Sequence, residues 1–324
     1  MDLLNNLGIT YNGDYISQGS LIDKCKKSAK IGIKNTEIIF KDDGKDNDYK
    51  SIVDSYSGNI ILHIPTINVS QSNLKLIKEL LTNTINEKVK LIVIDAGSLL
   101  YETYEWSTVQ EQQNYLRNMA KGIASLITYN IPIAIENTAP YKNNLLFGKS
   151  MNNVSDLLVY VRSILVEEES FTKEQAADMI GVSLNVNNIR KVNELGSIDK
   201  WFRNFYNDLK CIKVDDIDNN LNIVLWLLDA IMLNNINCRF LYGTKVELED
   251  INNEYNKFEY IVKNKIEGKE LNFDHYHPLA QAKYNEFSGN FTSAQSGYTN
   301  VIIIIMVLLT IIVAVLMFMV KWIS

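Results

Sequence analysis

The chain has 324 residues, enough for one large barrel or two ordinary domains. Its 47% hydrophobic and 22% charged content describes a folded protein and excludes a disordered one. A net charge of -6, from 32 Lys+Arg against 38 Asp+Glu, argues against sequence-independent phosphate binding, so strong nucleic-acid binding is not expected.

The chain opens Met-Asp-Leu-Leu-Asn-Asn, with an acid where a secretory signal carries basic residues. Short apolar runs then alternate with longer amphipathic ones. The runs at 7–11, 36–40, 59–64, 90–94, 131–136, 180–185, 210–214 and 237–242 read as strands. Helical spacing of Leu, Ile and Val marks 74–89, 109–129, 154–165, 198–209, 221–233 and 246–266, with weaker patterns at 21–29 and 49–56. Residues 167–178 break the rhythm and read as an extra short helix. This makes about eight strand–helix units, which predicts a (β/α)₈ TIM barrel over residues 1–270. A doubly wound open sheet is the competitor, and the unit count and length favour closure.

Residues 271–300 read as a junction and stalk, rich in Ser, Asn, Gly and Thr from 285 onward. From Val301 to Val320 the chain is apolar except for Thr310. That is roughly 20 residues, the length of a membrane-spanning helix. Lys321 and Trp322 follow where an interfacial anchor pair belongs. A segment apolar on every face reads as a membrane span rather than a core helix. Late emergence from the ribosome implies post-translational insertion, with the barrel facing the cytosol. Asn68, Asn153 and Asn290 begin glycosylation patterns, the first two beside barrel elements. Cys25, Cys211 and Cys238 form no Cys-x-x-Cys pair and fit reduced, buried thiols.

The stretch Ile131-Pro-Ile-Ala-Ile-Glu-Asn-Thr-Ala139 carries the clearest chemical signal. It reads as a buried strand ending on Glu136, and a TIM barrel places its chemistry at the carboxyl ends of its strands. A strand-end acid capping the next loop has the same pattern. Ile135-Glu-Asn-Thr-Ala139 resembles the fifth-strand motif of the endonuclease IV family, zinc enzymes that cut DNA at abasic sites on a TIM barrel. In that motif the Glu binds zinc. The run from Asn144 to Gly148 resembles the family's next stretch. Ile94-Asp-Ala-Gly-Ser98 is similar to its His-Pro-Gly-Ser motif, with Asp95 in place of a His ligand. The run from Ile180 to Asn188 is similar to another, with Asn185 for an Asp ligand and Asn188 for a His ligand. In the strand ending at Asp216, Lys213 stands where the family has His. Tyr242 stands at the place of a ligating Glu, and His63 matches an early His ligand.

The resemblance therefore implies the family's fold without its zinc cluster. Ammonium and carboxamide groups at ligand positions cannot gather zinc ions, and the chain has 3 His, His63, His275 and His277. No cofactor and no enzymatic activity are expected on this reading. Glu136 is then expected to pair with Lys213 or with strand-end donors. His275 and His277 flank Tyr276 in a pattern that can chelate a metal but has no third ligand beyond Asp274; a polar junction explains it equally. Tyr101 to Trp106 is an aromatic loop that reads as a binding surface or as burial at the barrel mouth.

Residues 171–191 compete with the sixth strand. They resemble a DNA-binding helix-turn-helix, with Ala177 and Gly181 at the tight contacts, but Arg190 and Lys191 give little basic charge. The preferred expectation is a single-pass, tail-anchored protein displaying an inactive barrel with a structural or binding role toward a protein or surface ligand. Abundant Asn, Ile and Lys with only 4 Pro point to an AT-rich coding genome, and with the degenerate barrel and the anchor this resembles envelope proteins of large DNA viruses, especially poxviruses. Two alternatives stand beside it: a single-metal hydrolase or isomerase using Glu136, Asp95 and His63, and a membrane-tethered DNA-binding protein using 171–191.

Overall fold

A computed structural model describes residues 3–11, 21–40, 49–64, 71–100, 108–138, 144–146, 148, 150–191, 197–244 and 251–271. Each apolar run of the sequence forms a strand. These are β1 (Leu7–Tyr11), β2 (Asn35–Ile39), β3 (Asn59–Ile64), β4 (Val89–Asp95), β6 (Ile133–Glu136), β8 (Ile180–Asn185), β9 (Leu209–Asp215) and β10 (Arg239–Thr244). They pair in parallel and close in the order β1-β10-β9-β8-β6-β4-β3-β2. Closure satisfies the backbone of every strand on both edges, which an open sheet would not do.

Helices α1 (Leu21–Lys30), α2 (Tyr49–Ser55), α3 (Gln71–Thr84), α4 (Val109–Ala124), α5 (Met151–Glu167), α6 (Lys173–Met179), α7 (Val186–Lys191), α8 (Ser197–Phe205), α9 (Ile217–Leu233) and α10 (Ile251–Ile266) connect the strands. Local chemistry sets several starts. Thr108 with Glu111 and Thr172 with Gln175 form capping boxes at α4 and α6. Asp216 caps α9 from a left-handed conformation, φ 48°. The extra short helix expected in 167–178 is α6.

Alternation along the strands divides the apolar residues between two cores. The outer core lies between strands and helices and includes Ile60, Leu62, Ile92, Ile133, Ile135 and Phe240. The inner one fills the barrel and consists of Ile61, Leu91, Val93, Ala134, Cys211 and Leu241. Burial pushes the Cys25 and Cys238 thiols up to about 12 and Cys211 upward as well, so all three pack as inert apolar groups.

The strand expected at 180–185 is present, one alternative falls, a second sheet is added and one boundary moves. The helix-turn-helix is absent, because Ile180–Asn185 is a barrel strand and a helix begins only at Val186. Gly181 pairs with Ala134, and a Cβ there would lie 2.2 Å from the Asp208 carbonyl oxygen: this glycine admits a neighbouring strand, not a helix turn. A second sheet was not foreseen, an antiparallel pair of β5 (Ser98–Leu100) and β7 (Asn144–Leu146) in the connections that follow β4 and β6. Strand β6 starts at Ile133, since Pro132 has no amide hydrogen to give its neighbour. The expected membrane span, stalk, His275 and His277, and the 101–106 aromatics lie outside the described residues. Among the described residues no helix is long and apolar enough to cross a membrane.

Candidate active site

Two residues on, the strands that supply the inner apolar layer carry charge instead. Ile61 is followed by His63, Val93 by Asp95, Ala134 by Glu136 and Cys211 by Lys213; Glu37 joins them from β2. The strand period of two keeps these side chains on the inner face, one layer nearer the carboxyl ends. Glu37, Glu136, Lys213 and His63 are at most 7% exposed, and Asp95 is partly exposed at the mouth side.

Lys213 stands at the centre. Its ammonium is ion-paired with both Glu37 and Glu136, and its Nζ is 3.3 Å from His63 Nδ1. The same ring nitrogen is 3.2 Å from Glu37 Oε1, and His63 Nε2 is 3.1 Å from Asp95 Oδ1. Ser183 Oγ donates to Glu136 Oε2 and Asn185 Nδ2 to Glu136 Oε1, each at 2.9 Å. Glu37 Oε2 is buried with no hydrogen-bond partner among the described residues.

Charge follows from these contacts. Burial raises the Glu37 carboxyl, but Lys213 and His63 outweigh it and hold the group down at about 2. Burial and Lys213 push the His63 imidazole down, while Glu136, Glu37 and Asp95 lift it to about 10. Burial lowers Lys213, and the two glutamates more than restore it, so it is held above its ordinary value. Glu37 is therefore a carboxylate beside an ammonium and an imidazolium. In this state His63 donates from both nitrogens, to Glu37 and to Asp95.

The structure gathers four of the seven sequence-derived positions, His63, Asp95, Glu136 and Lys213. Asn185 flanks them through Glu136. Asn188 is set apart: its amide donates to the Asn137 carbonyl at 2.8 Å and helps tie β8 to β6. Tyr242 is not a site residue. It neighbours the inward Leu241, so it points outward, stacks on Phe258 at 5.5 Å and donates to Glu254 at 2.6 Å. The inward position at that strand end is Gly243. Glu37 was missed. Its signal was present, a lone acid inside the apolar strand Asn-Thr-Glu-Ile-Ile, which strand burial does not otherwise tolerate.

One ligand atom each from Glu37, His63 and Glu136 lie within 4.8 Å of one another. Two carboxylates and an imidazole suit one divalent ion chemically. The position among them is held by the Lys213 ammonium, and ion and ammonium repel, so the set does not accommodate a metal while Lys213 is in place.

No protein-family model matches the chain, and no curated protein does. Solved structures do. An L-ribulose 3-epimerase matches with TM-score 0.55 at 11% identity, over 81% of this chain and 96% of that one. An AP endonuclease of family 2 from Brucella melitensis gives 0.49 at 9% identity, over 74% and 92%. A xylose isomerase domain protein from Alicyclobacillus acidocaldarius gives 0.48 at 10%, over 79% and 99%. The closed barrel of eight parallel strands is a TIM barrel, the fold it shares with the epimerase. At these identities the likeness concerns the fold.

The expected lack of enzymatic activity is corrected here. It rested on ligands lost one by one at the strand ends. The structure instead brings together a donor set, Glu37, His63 and Glu136, that includes a residue the motif comparison never counted, in a barrel whose fold matches that of an epimerase.

Proposed function

We propose that the barrel is an enzyme of the isomerase or epimerase kind, moving a proton at a carbon next to a carbonyl in a small polyhydroxylated substrate. One observation carries this reading: Glu37, His63, Asp95, Glu136 and Lys213 converge at the carboxyl ends of the strands, four of them buried. Burying four ionisable groups costs roughly several kcal/mol for each ion left unpaired, and stability alone does not select for it. Active sites concentrate such groups where proton transfer needs them.

The roles follow from exposure and hydrogen bonding. Asp95 is the partly exposed carboxylate and takes the substrate proton. His63 orients Asp95 through Nε2, and Asp95 gives the proton back to the substrate carbon to complete the reaction. Negative charge developing on the substrate oxygen meets the positive centre of the cluster. Glu37 Oε2, Asp95 and Glu136 form an acceptor-rich wall that suits substrate hydroxyl groups, and Glu37 Oε2 has no partner among the described residues. The solved L-ribulose 3-epimerase of like fold supports this substrate class. Of the single-metal hydrolase or isomerase expected from Glu136, Asp95 and His63, this reading keeps the isomerase reaction and all three residues, adds Glu37 and replaces the metal with the Lys213 ammonium.

The apolar segment Val301–Val320 supports membrane attachment through the C-terminus, with the barrel in the cytosol. A role on a viral envelope rests on the same segment.

Deuterium exchange tests the enzyme reading. The full-length protein is incubated in D₂O with aldoses and ketoses of four to six carbons, and proton NMR follows the position next to the carbonyl. Exchange is expected with the natural chain and not with Asp95→Asn or His63→Gln. No exchange across the series would remove the reading.

A further inference from the structure

We propose that the Lys213 ammonium is the resident cation of this barrel: it stands where Glu37, His63 and Glu136 would otherwise bind a divalent ion, excludes that ion, and presents its remaining hydrogen to the substrate oxygen. The substrate role rests on the function proposed above; the exclusion does not.

Geometry supplies the argument. Lys213 reaches the centre from β9, while its partners arrive from β2, β3 and β6. Its ammonium contacts one carboxylate on each side, and His63 Nδ1 lies 3.3 Å away. All three of these partners supply atoms to the set that falls within 4.8 Å. An ammonium is a compact positive charge with three donors. Two go to Glu37 and Glu136. His63 Nδ1 is 3.2 Å from Glu37 Oε1 and donates there, so it does not accept the third. Among the described residues no other acceptor reaches that hydrogen, which leaves it for a ligand. A divalent ion placed on the same donors would sit within contact distance of the ammonium. Repulsion at low dielectric opposes both occupying the site.

The consequence is specific: removing the ammonium should create a metal site without adding any ligand. Lys213→Met and Lys213→Gln are compared with the natural full-length chain in detergent. Cobalt(II) is the probe, followed by visible absorption, elemental analysis and thermal unfolding. The natural chain should stay colourless and gain no stability from cobalt. Lys213→Gln should bind one equivalent roughly 100-fold or more tighter, the direction expected when a like charge leaves a buried site, and its melting temperature should rise with cobalt. Lys213→Met should behave alike, even if it folds only with the ion. Adding His63→Ala to either variant should abolish the colour. Stoichiometric cobalt on the natural chain, at the affinity of the variants, overturns the exclusion whether or not the variants fold. So does cobalt binding that survives His63→Ala.

The substrate arm separates this inference from the enzyme reading. Deuterium exchange by metal-stripped natural protein supports both. Exchange that appears only with added metal keeps the enzyme and removes Lys213 as its cation. Absence of exchange with absence of cobalt binding removes the enzyme and keeps the exclusion.

Discussion

Lys213 and Glu37 are 176 residues apart in the chain and form an ion pair at the centre of the barrel. Neither is more than 4% exposed. Deleting one charge of such a pair strands the other in a poor solvent for ions. Glu37→Gln should therefore cost about 3–5 kcal/mol of stability. Arg203→Ala, which breaks the exposed pair with Asp199 on α8, should cost less than ~1 kcal/mol. Urea unfolding of the two variants checks the contrast, and equal losses would contradict the buried assignment.

The cluster also predicts how stability depends on pH. Glu37 is held at about 2, below its ordinary 4.5. Its contribution is present above 4.5 and is lost as pH falls toward 2. His63 is held at about 10, above its ordinary 6.5. Its contribution is complete below 6.5 and is lost as pH rises toward 10. Stability should peak between these ordinary values and fall on both sides. His63→Gln should flatten the alkaline limb. An unchanged alkaline slope in that variant would show that His63 is not charged in the folded state.

Tyr242 and Asn185 separate outward from inward strand ends. Tyr242→Phe removes the hydrogen bond to Glu254 and should cost about 1 kcal/mol of stability while exchange activity stays within about twofold. Asn185→Ala removes a donor to Glu136 and should slow exchange about tenfold or more. Measuring both variants by unfolding and by deuterium exchange decides the matter. A Tyr242→Phe chain that folds normally but loses activity would place that residue inside the site.

Gly181 tests the choice of strand over helix-turn-helix. A Cβ would lie 2.2 Å from the Asp208 carbonyl oxygen and 2.6 Å from Lys210 Cγ. Gly181→Ala should force β8 and β9 apart and cost about 1–3 kcal/mol. Thermal unfolding of this variant at or above the natural midpoint would contradict the tight strand approach.

The eight strands were legible because each is a short apolar run with its own stop. Ile180–Asn185 is an example: burial on both faces demands continuous apolar character, and that is a local property. The β5–β7 pair was not legible, since two three-residue strands whose paired residues, from Leu100 with Asn144 to Ser98 with Leu146, are far apart in the chain carry no period of their own. Glu136 could be singled out because charge at an apolar strand end is conspicuous, and His63, Asp95 and Lys213 because they stand at ligand positions of the motifs the chain resembles. Glu37 lay inside its strand and Tyr242 one position out of phase, so motif order alone misjudged both.

By itself the sequence determined the barrel: the spacing of apolar runs, the helical repeats between them and the polar turn after each strand are written residue by residue. It also determined which strand ends carry charge. Only the tertiary structure decided what those charges do. Closure brings β2 and β9 across the same interior, so that Lys213 meets Glu37 and Glu136 where a metal would otherwise sit. Sequence periodicity acts over a few residues and reports which face a side chain takes. The electrostatic energy of a buried ion depends on groups within a few ångströms, and in a closed barrel those come from every part of the chain.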